Sequence, residues 1–258
     1  MAQTSSQARP LIIAHRGFSA EAPENTLAAF DAAARAGADG VELDVTMCAS
    51  GDVVVIHDDT IDRTTNGSGR VRDMSLETLR MFDAGRWFDA SYEGQFIPTL
   101  GDVLDLIGET MMVNIEIKAS TNKDEGIEDG VIALVHQRRM QDRVLISSFS
   151  PIALWRMRRR APELERALLT APKLPFLLGT GWPAGLVRAH ALHPHHSQVD
   201  ADYVERAHAK GRAVNVWTVD EPAEMRRLCR LGIDGIITNH PARLRAVLEQ
   251  LAEEGETP

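Results

Sequence analysis

Eight short apolar runs alternate with stretches of helical spacing: LIIAH at 11–15, VELDV at 41–45, MVNIEIK at 112–118, VLISS at 144–148, LPFLLG at 174–179, AHALHP at 189–194, AVNVWT at 213–218 and DGIIT at 234–238. Strands that alternate with helices pack as a parallel sheet with helices over its faces, because each crossover covers the apolar side that the sheet would otherwise leave in water. Eight such units in 258 residues match the count and size of one α/β domain, a (β/α)8 barrel spanning 1–258. An open doubly wound sheet uses the same units, since periodicity does not report closure. No Gly-rich dinucleotide fingerprint follows the first run and no Gly-Lys-Ser/Thr phosphate loop occurs, which weighs against a nucleotide cofactor.

A ninth apolar run, DVVVIH at 52–57, follows VELDV too closely for the crossover that a parallel neighbour needs. It is expected to run antiparallel to the second strand or to leave the barrel wall. Residues 46–98 then read as a small insertion after the second barrel strand. They carry a helix near 75–83, the polar piece TTNGSGR and the aromatic cluster GRWFDASY, and are long enough to wall a substrate cleft. Elsewhere Asn25 is expected to cap a helix that Gly37 ends, and Thr99 with Asp102 to cap one at 100–108. Further helices are expected near 125–138, 151–160, 200–210 and 222–231, and from 241.

The net charge of −9 argues against a polyanionic partner such as nucleic acid, which needs a basic field to release counterions. RMRRR at 156–160 reads as the solvated face of a helix. No run approaches eighteen apolar residues, so no membrane span is expected. Cys48 and Cys229 lack a ligand-like spacing and read as free thiols, and the polar opening MAQTSSQARP has no apolar signal core; both point to the cytoplasm. Oligomeric state is not legible.

The chemistry gathers at strand ends. Glu42 and Asp44 lie two residues apart in one strand and so share a face, and Glu116 ends the next barrel strand. The ends of adjacent parallel strands form one active-site face, so these three hard oxygen ligands read as a site for one divalent cation, Mg2+ or Ca2+. Lys118 shares the inward face of Glu116, where its ammonium can hold a phosphoryl oxygen or pair with the carboxylates. His15 and His57 suit proton transfer near neutrality, or one of them metal ligation. Arg16 offers several donors to a phosphate. Glu24 and Asn25 sit in the loop after the first strand, with a helix cap or a polar site role open to Asn25. Asp58 reads as a loop-fixing residue, because neighbouring side chains diverge in an extended strand. His190, His193, His195 and His196 read as a solvated loop, with His193 near enough to a strand end to line the cleft. Trp217 reads as a substrate wall or core.

The ordered set HRG at 15–17, ENT at 24–26, ELD at 42–44, HDDTIDRTT at 57–65, EIK at 116–118, WTVD at 217–220 and DGIITNHP at 234–241 resembles the glycerophosphodiester phosphodiesterase family over nearly the whole chain. The resemblance implies a TIM barrel with an insertion after its second strand. It makes His15 and His57 the acid/base pair, Glu42, Asp44 and Glu116 the metal ligands, and Arg16 and Lys118 the phosphate contacts. It implies hydrolysis of a small-molecule glycerophosphodiester to sn-glycerol 3-phosphate and an alcohol, with a cyclic phosphate formed on the way if the glycerol 2-hydroxyl is the nucleophile. The family often has Asn where this chain has Asp220, Asp where it has Asn239, and Asn-Pro where it has His193-Pro194. All three departures fall outside the implied catalytic set and touch the rim and wall. Two other functions fit the motifs: lysophospholipase D-like hydrolysis of a lipid diester, for which WFDASY would supply a greasy entrance, and noncatalytic phosphometabolite binding, which has no use for paired proton handlers.

Overall fold

The structure is a computed structural model that describes residues 9–108, 110–118, 125–172, 174 and 182–255. One sheet contains the strands Leu11–His15 (β1), Gly40–Met47 (β2), Val53–Val55 (β3), Met112–Ile117 (β4), Val144–Ser148 (β5), Glu165–Thr170 (β6), Ala191–Pro194 (β7), Ala213–Val216 (β8) and Gly235–Thr238 (β9). Their order is β1-β9-β8-β7-β6-β5-β4-β2, all parallel, and β1 also pairs with β2, which closes the barrel. β3 pairs antiparallel with the end of β2, Val45 opposite Val55, as its short spacing requires. The fold is therefore a (β/α)8 TIM barrel with an extra strand after its second strand.

Alternation along the strands divides the interior in two. Val41, Leu43, Val45, Val113, Ile115 and Ile117 face outward into the main apolar core beneath the helices. The alternate residues Glu42, Asp44, Asn114 and Glu116 are left on the barrel side, buried although polar. Leu145, Ala167 and Ala191 form a small apolar floor there. The helices are Leu27–Arg35 (α1), Leu76–Leu79 (α2), Leu100–Ile107 (α3), Ile127–Gln137 (α4), Pro151–Arg160 (α5), Ala201–His208 (α6), Pro222–Arg230 (α7) and Pro241–Glu253 (α8). They fall where helical spacing places them, except that the expected helix at 75–83 shrinks to the single turn of α2. A separate apolar cluster of Cys48, Val54, Ile56, Ile61, Val71, Leu79, Ala84 and Ile97 packs the segment beyond β2. Among the described residues no helix is long and apolar enough to cross a membrane.

Two further elements differ from the sequence reading. The fifth strand of the barrel wall is β6, at 165–170, rather than LPFLLG at 174–179, of which 175–179 lie outside the described residues. Its opening Glu165-Arg166 hides it in the sequence. Arg166 is nonetheless buried, because its guanidinium donates to the carbonyls of Pro162, Val187 and Arg188. The second difference is the cap of α1. Thr26, not Asn25, accepts from Ala29 N, while Asn25 adopts a left-handed φ of 57° and turns its amide inward.

The turn after β1 depends on Gly17. Its φ is +81°, and a Cβ there would lie 2.6 Å from the carbonyl carbon of Ala29. Both features exclude a side chain. Gly17→Ala is expected to cost about 2–4 kcal/mol in a urea unfolding series; an unchanged midpoint would show that this turn can shift without loss.

Candidate active site

Parallel register brings the acidic residues together. β1 and β2 pair with His15 opposite Glu42, and β2 and β4 pair with Asp44 opposite Glu116. One oxygen from each of Glu42, Asp44 and Glu116 then lies within 4.8 Å of the others, with exposures of only 4%, 1% and 8%. Two cations and an amide face the trio. Lys118 Nζ lies 3.0 Å from Glu116 Oε1 and 3.2 Å from Asp44 Oδ1, Arg16 Nε is 3.3 Å from Asp44 Oδ2, and Asn25 Nδ2 donates to that same oxygen at 3.0 Å. The backbone N–H of Arg16 donates to Glu42 Oε2, an approach made from a left-handed φ of 57°.

Charge is unevenly balanced across the three. Burial, with the charges of Asp44 and Glu116 beside it, pushes the Glu42 carboxyl well above its ordinary range. Burial and Asp44 push Glu116 up to about 7. Asp44 is equally buried, yet Lys118 and Arg16 hold it below the usual carboxylate range. Three close carboxylates with too little positive charge, all hard oxygen donors, fit a divalent cation. Binding it requires Glu116 to give up its proton. As pH falls through about 7 the proton competes with the ion, so titration calorimetry is expected to show affinity at pH 6 roughly fivefold weaker than at pH 7. Equal affinity at both would exclude Glu116 from the coordination set.

Both histidines border this trio. His15 Nε2 lies 3.9 Å from Glu42 Oε2, and His57 is close enough for its charge to act on Asp44. Each ring is held through Nδ1. His57 Nδ1 is 2.5 Å from Asp58 Oδ1 and His15 Nδ1 is 2.7 Å from Asn239 Oδ1. Asp58, whose pKa Arg63 and His57 hold at about 2, is an ionised acceptor, so Nδ1 of His57 carries the proton. Asn239 is oriented by Asp220, whose carboxylate accepts from its Nδ2 at 2.6 Å and its backbone N at 2.9 Å. Its oxygen therefore faces His15, which likewise donates from Nδ1. Burial and the charge of Arg16 lower His15 to about 4, leaving Nε2 unprotonated at neutral pH.

Several of these partners escape a sequence reading. Asp58 orients His57 rather than merely fixing the loop, because the chain bends after β3 and the neighbouring side chains no longer diverge. Asp220 and Asn239, which depart from the family pattern, reach His15 rather than the rim alone. Glu24 accepts from Arg16 Nη1 at 2.8 Å. Their only sequence signal is membership of ENT, HDDTIDRTT, WTVD and DGIITNHP. The histidine group near Pro194 does not form one solvated loop. His193 is fully buried on β7 beside Asn215, with burial lowering it to about 3, whereas His195 and His196 are half-buried. Trp217 is half-buried, donates its indole N–H to the carbonyl of His193, and meets the rings of Phe149 and His195 edge-on.

A profile described as the Glycerophosphoryl diester phosphodiesterase family matches residues 15–243. Among curated proteins, a glycerophosphodiester phosphodiesterase of Caldanaerobacter subterraneus subsp. tengcongensis is 42% identical over 238 residues, covering 92% of this chain and 96% of that protein. Among solved structures, an Oleispira antarctica phosphodiesterase in complex with the product sn-glycerol-3-phosphate superposes with a TM-score of 0.86 at 30% identity, covering 93% of this chain and 97% of that one. A glycerophosphodiester phosphodiesterase from Agrobacterium tumefaciens superposes with a TM-score of 0.80 at 31% identity, covering 92% and 99%.

Proposed function

Because this chain belongs to the glycerophosphoryl diester phosphodiesterase family, we propose that it hydrolyses glycerophosphodiesters to sn-glycerol 3-phosphate and an alcohol, with Mg2+ or Ca2+ held by Glu42, Asp44 and Glu116. The observation that carries this reading is a buried oxygen-donor trio bordered by two imidazoles, each fixed through Nδ1 with Nε2 left over. A bound divalent ion would supply Lewis acidity toward a phosphoryl oxygen. Arg16 and Lys118 neutralise charge on the remaining phosphoryl oxygens as it develops. His15, neutral at pH 7, accepts through Nε2 the proton of the attacking water or glycerol hydroxyl. His57, in its doubly protonated form with Nδ1–H held on Asp58, gives the proton of Nε2 to the leaving alkoxide as the P–O bond to the alcohol breaks, and is left as the Nδ1–H tautomer. Its orientation by Asp58 follows the logic by which a carboxylate holds a catalytic imidazole in one tautomer.

Trp217 lines the cleft beside Phe149 and meets the organic part of the diester. The inserted segment 46–98 supplies His57 and Asp58 and forms a wall of that cleft. Two buried free cysteines, Cys48 and Cys229, support work in the reducing cytoplasm.

The test is to strip the protein of metal and supply glycerophosphocholine or glycerophosphoethanolamine, detecting sn-glycerol 3-phosphate with and without Mg2+ or Ca2+. Ion-dependent product is expected. No product from folded protein with either ion would overturn the reading.

A further inference from the structure

Arg63 takes no part in the reaction above, yet its guanidinium joins the two loops that carry it. Nε donates to Asp58 Oδ2 at 2.7 Å, while Nη1 and Nη2 donate to Glu24 Oε2 and Oε1 at 2.7 and 2.8 Å. Each carboxylate also holds a residue of the site: Asp58 Oδ1 accepts from His57 and Glu24 Oε1 from Arg16. The result is an unbroken chain from His57 through Asp58, Arg63, Glu24 and Arg16 to Asp44. We propose that Arg63 is a positioning residue that sets His57 and Arg16 in register with each other across the mouth of the barrel. The inference rests on the hydrolytic reading of the site.

An arginine that is 44% exposed ordinarily forms ion pairs of little consequence. Three features separate this one from such a pair. Glu24 is only 14% exposed, so little water is at hand to replace the fork. The two carboxylates come from loops 34 positions apart, at 24 and 58, so no local backbone geometry couples them. Both spend their remaining capacity on groups assigned to the reaction, and a displacement of about 1 Å in such groups costs roughly a hundredfold in rate. Lysine keeps the charge but lacks the planar fork, and cannot hold Glu24 at two points and Asp58 at a third.

The test uses the metal-loaded protein with glycerophosphocholine. Arg63→Ala is expected to lower kcat by roughly 10- to 100-fold and to raise KM, because His57 and Arg16 both lose their alignment. In a His57→Ala background the same change raises KM without lowering kcat further; in an Arg16→Ala background it lowers kcat without raising KM further. Arg63→Lys recovers thermal stability but not kcat, and serves in place of the alanine variant if that one does not fold. Loss of kcat and KM by the same factors in all three backgrounds, or values within twofold of the unsubstituted protein, would overturn the proposal. A readout independent of turnover is the 15N spectrum of the His57 ring. Recorded at alkaline pH, where the ring is neutral, Arg63→Ala is expected to shift it from the Nδ1–H tautomer toward the mixture of a free imidazole. If the unsubstituted protein turns nothing over, this spectrum still decides: a shift supports the positioning role, and an unchanged tautomer refutes it.

Discussion

His57→Ala is expected to lower kcat on glycerophosphodiesters by about 10²–10⁴-fold while leaving the urea midpoint almost where it was. The ring is 33% exposed, and its described polar contact is with Asp58. Removing it leaves Asp58 paired with Arg63, so no buried group is orphaned and the fold loses less than about 1 kcal/mol. On the proposed mechanism the chemical step loses the group that protonates the leaving alkoxide. Added imidazole should restore part of the rate. His15→Ala is expected to show the same kinetic loss with a larger stability cost, since His15 is more buried and satisfies Asn239. Equal loss of folding and activity in the His57 variant would sink the proton-transfer assignment.

Glu42→Gln is expected to lower activity by about a thousandfold, the equivalent of roughly 4 kcal/mol of lost Lewis-acid stabilisation, while raising the melting temperature of the metal-free protein. The opposite signs follow from electrostatics. Above pH 4.5 the Glu42 carboxyl ionises freely in the unfolded chain, but in the folded one burial, Asp44 and Glu116 oppose its charge. The folded state thus carries a penalty that begins at the unfolded pKa and grows with pH. A neutral amide removes that penalty at pH 7. Asp44→Asn should lower the melting temperature of the metal-free protein, because Asp44 is the carboxylate that Lys118 and Arg16 stabilise, and neutralising it removes the one negative charge that both cations share. The check is a pair of thermal melts, with and without Mg2+. The unsubstituted protein should gain stability from the ion and Glu42→Gln should not. A metal-free Glu42→Gln variant less stable than its parent would show that the trio is already neutralised by protons or by Lys118.

Local rules recovered what depends on local rules. The period of two put Glu42 with Asp44 and Glu116 with Lys118, and the β1–β2 and β2–β4 registers then joined the pairs. Chain length ruled out a parallel neighbour for the run at 53–55, and of the two remaining courses the structure takes the antiparallel one. Misreadings arose where a residue's environment ran against its type. Arg166 hid β6 from a search for apolar runs, because a charged side chain in a buried strand is stable only when distant carbonyls happen to receive it. Asn25 resembled a helix cap because caps and inward-turned amides use the same residue, and only the left-handed φ distinguishes them. A continuing strand would turn Asp58 away from His57, but the chain bends there.

By itself the sequence determined the repeating unit, the apolar and polar sides of the strands that bear the site, and the sign and hardness of the groups at their ends. These follow from backbone periodicity and side-chain chemistry, which act over a few residues. Only the tertiary structure decided that the sheet closes, with β1 between β9 and β2; the β1–β9 pairing sets Asn239 beside His15 across 224 positions, and the β1–β2 pairing brings the loops of Glu24 and Arg63 together across 39. Partners that far apart leave no periodic trace, because their meeting is fixed by the shape of the whole barrel rather than by the conformational preference of either segment.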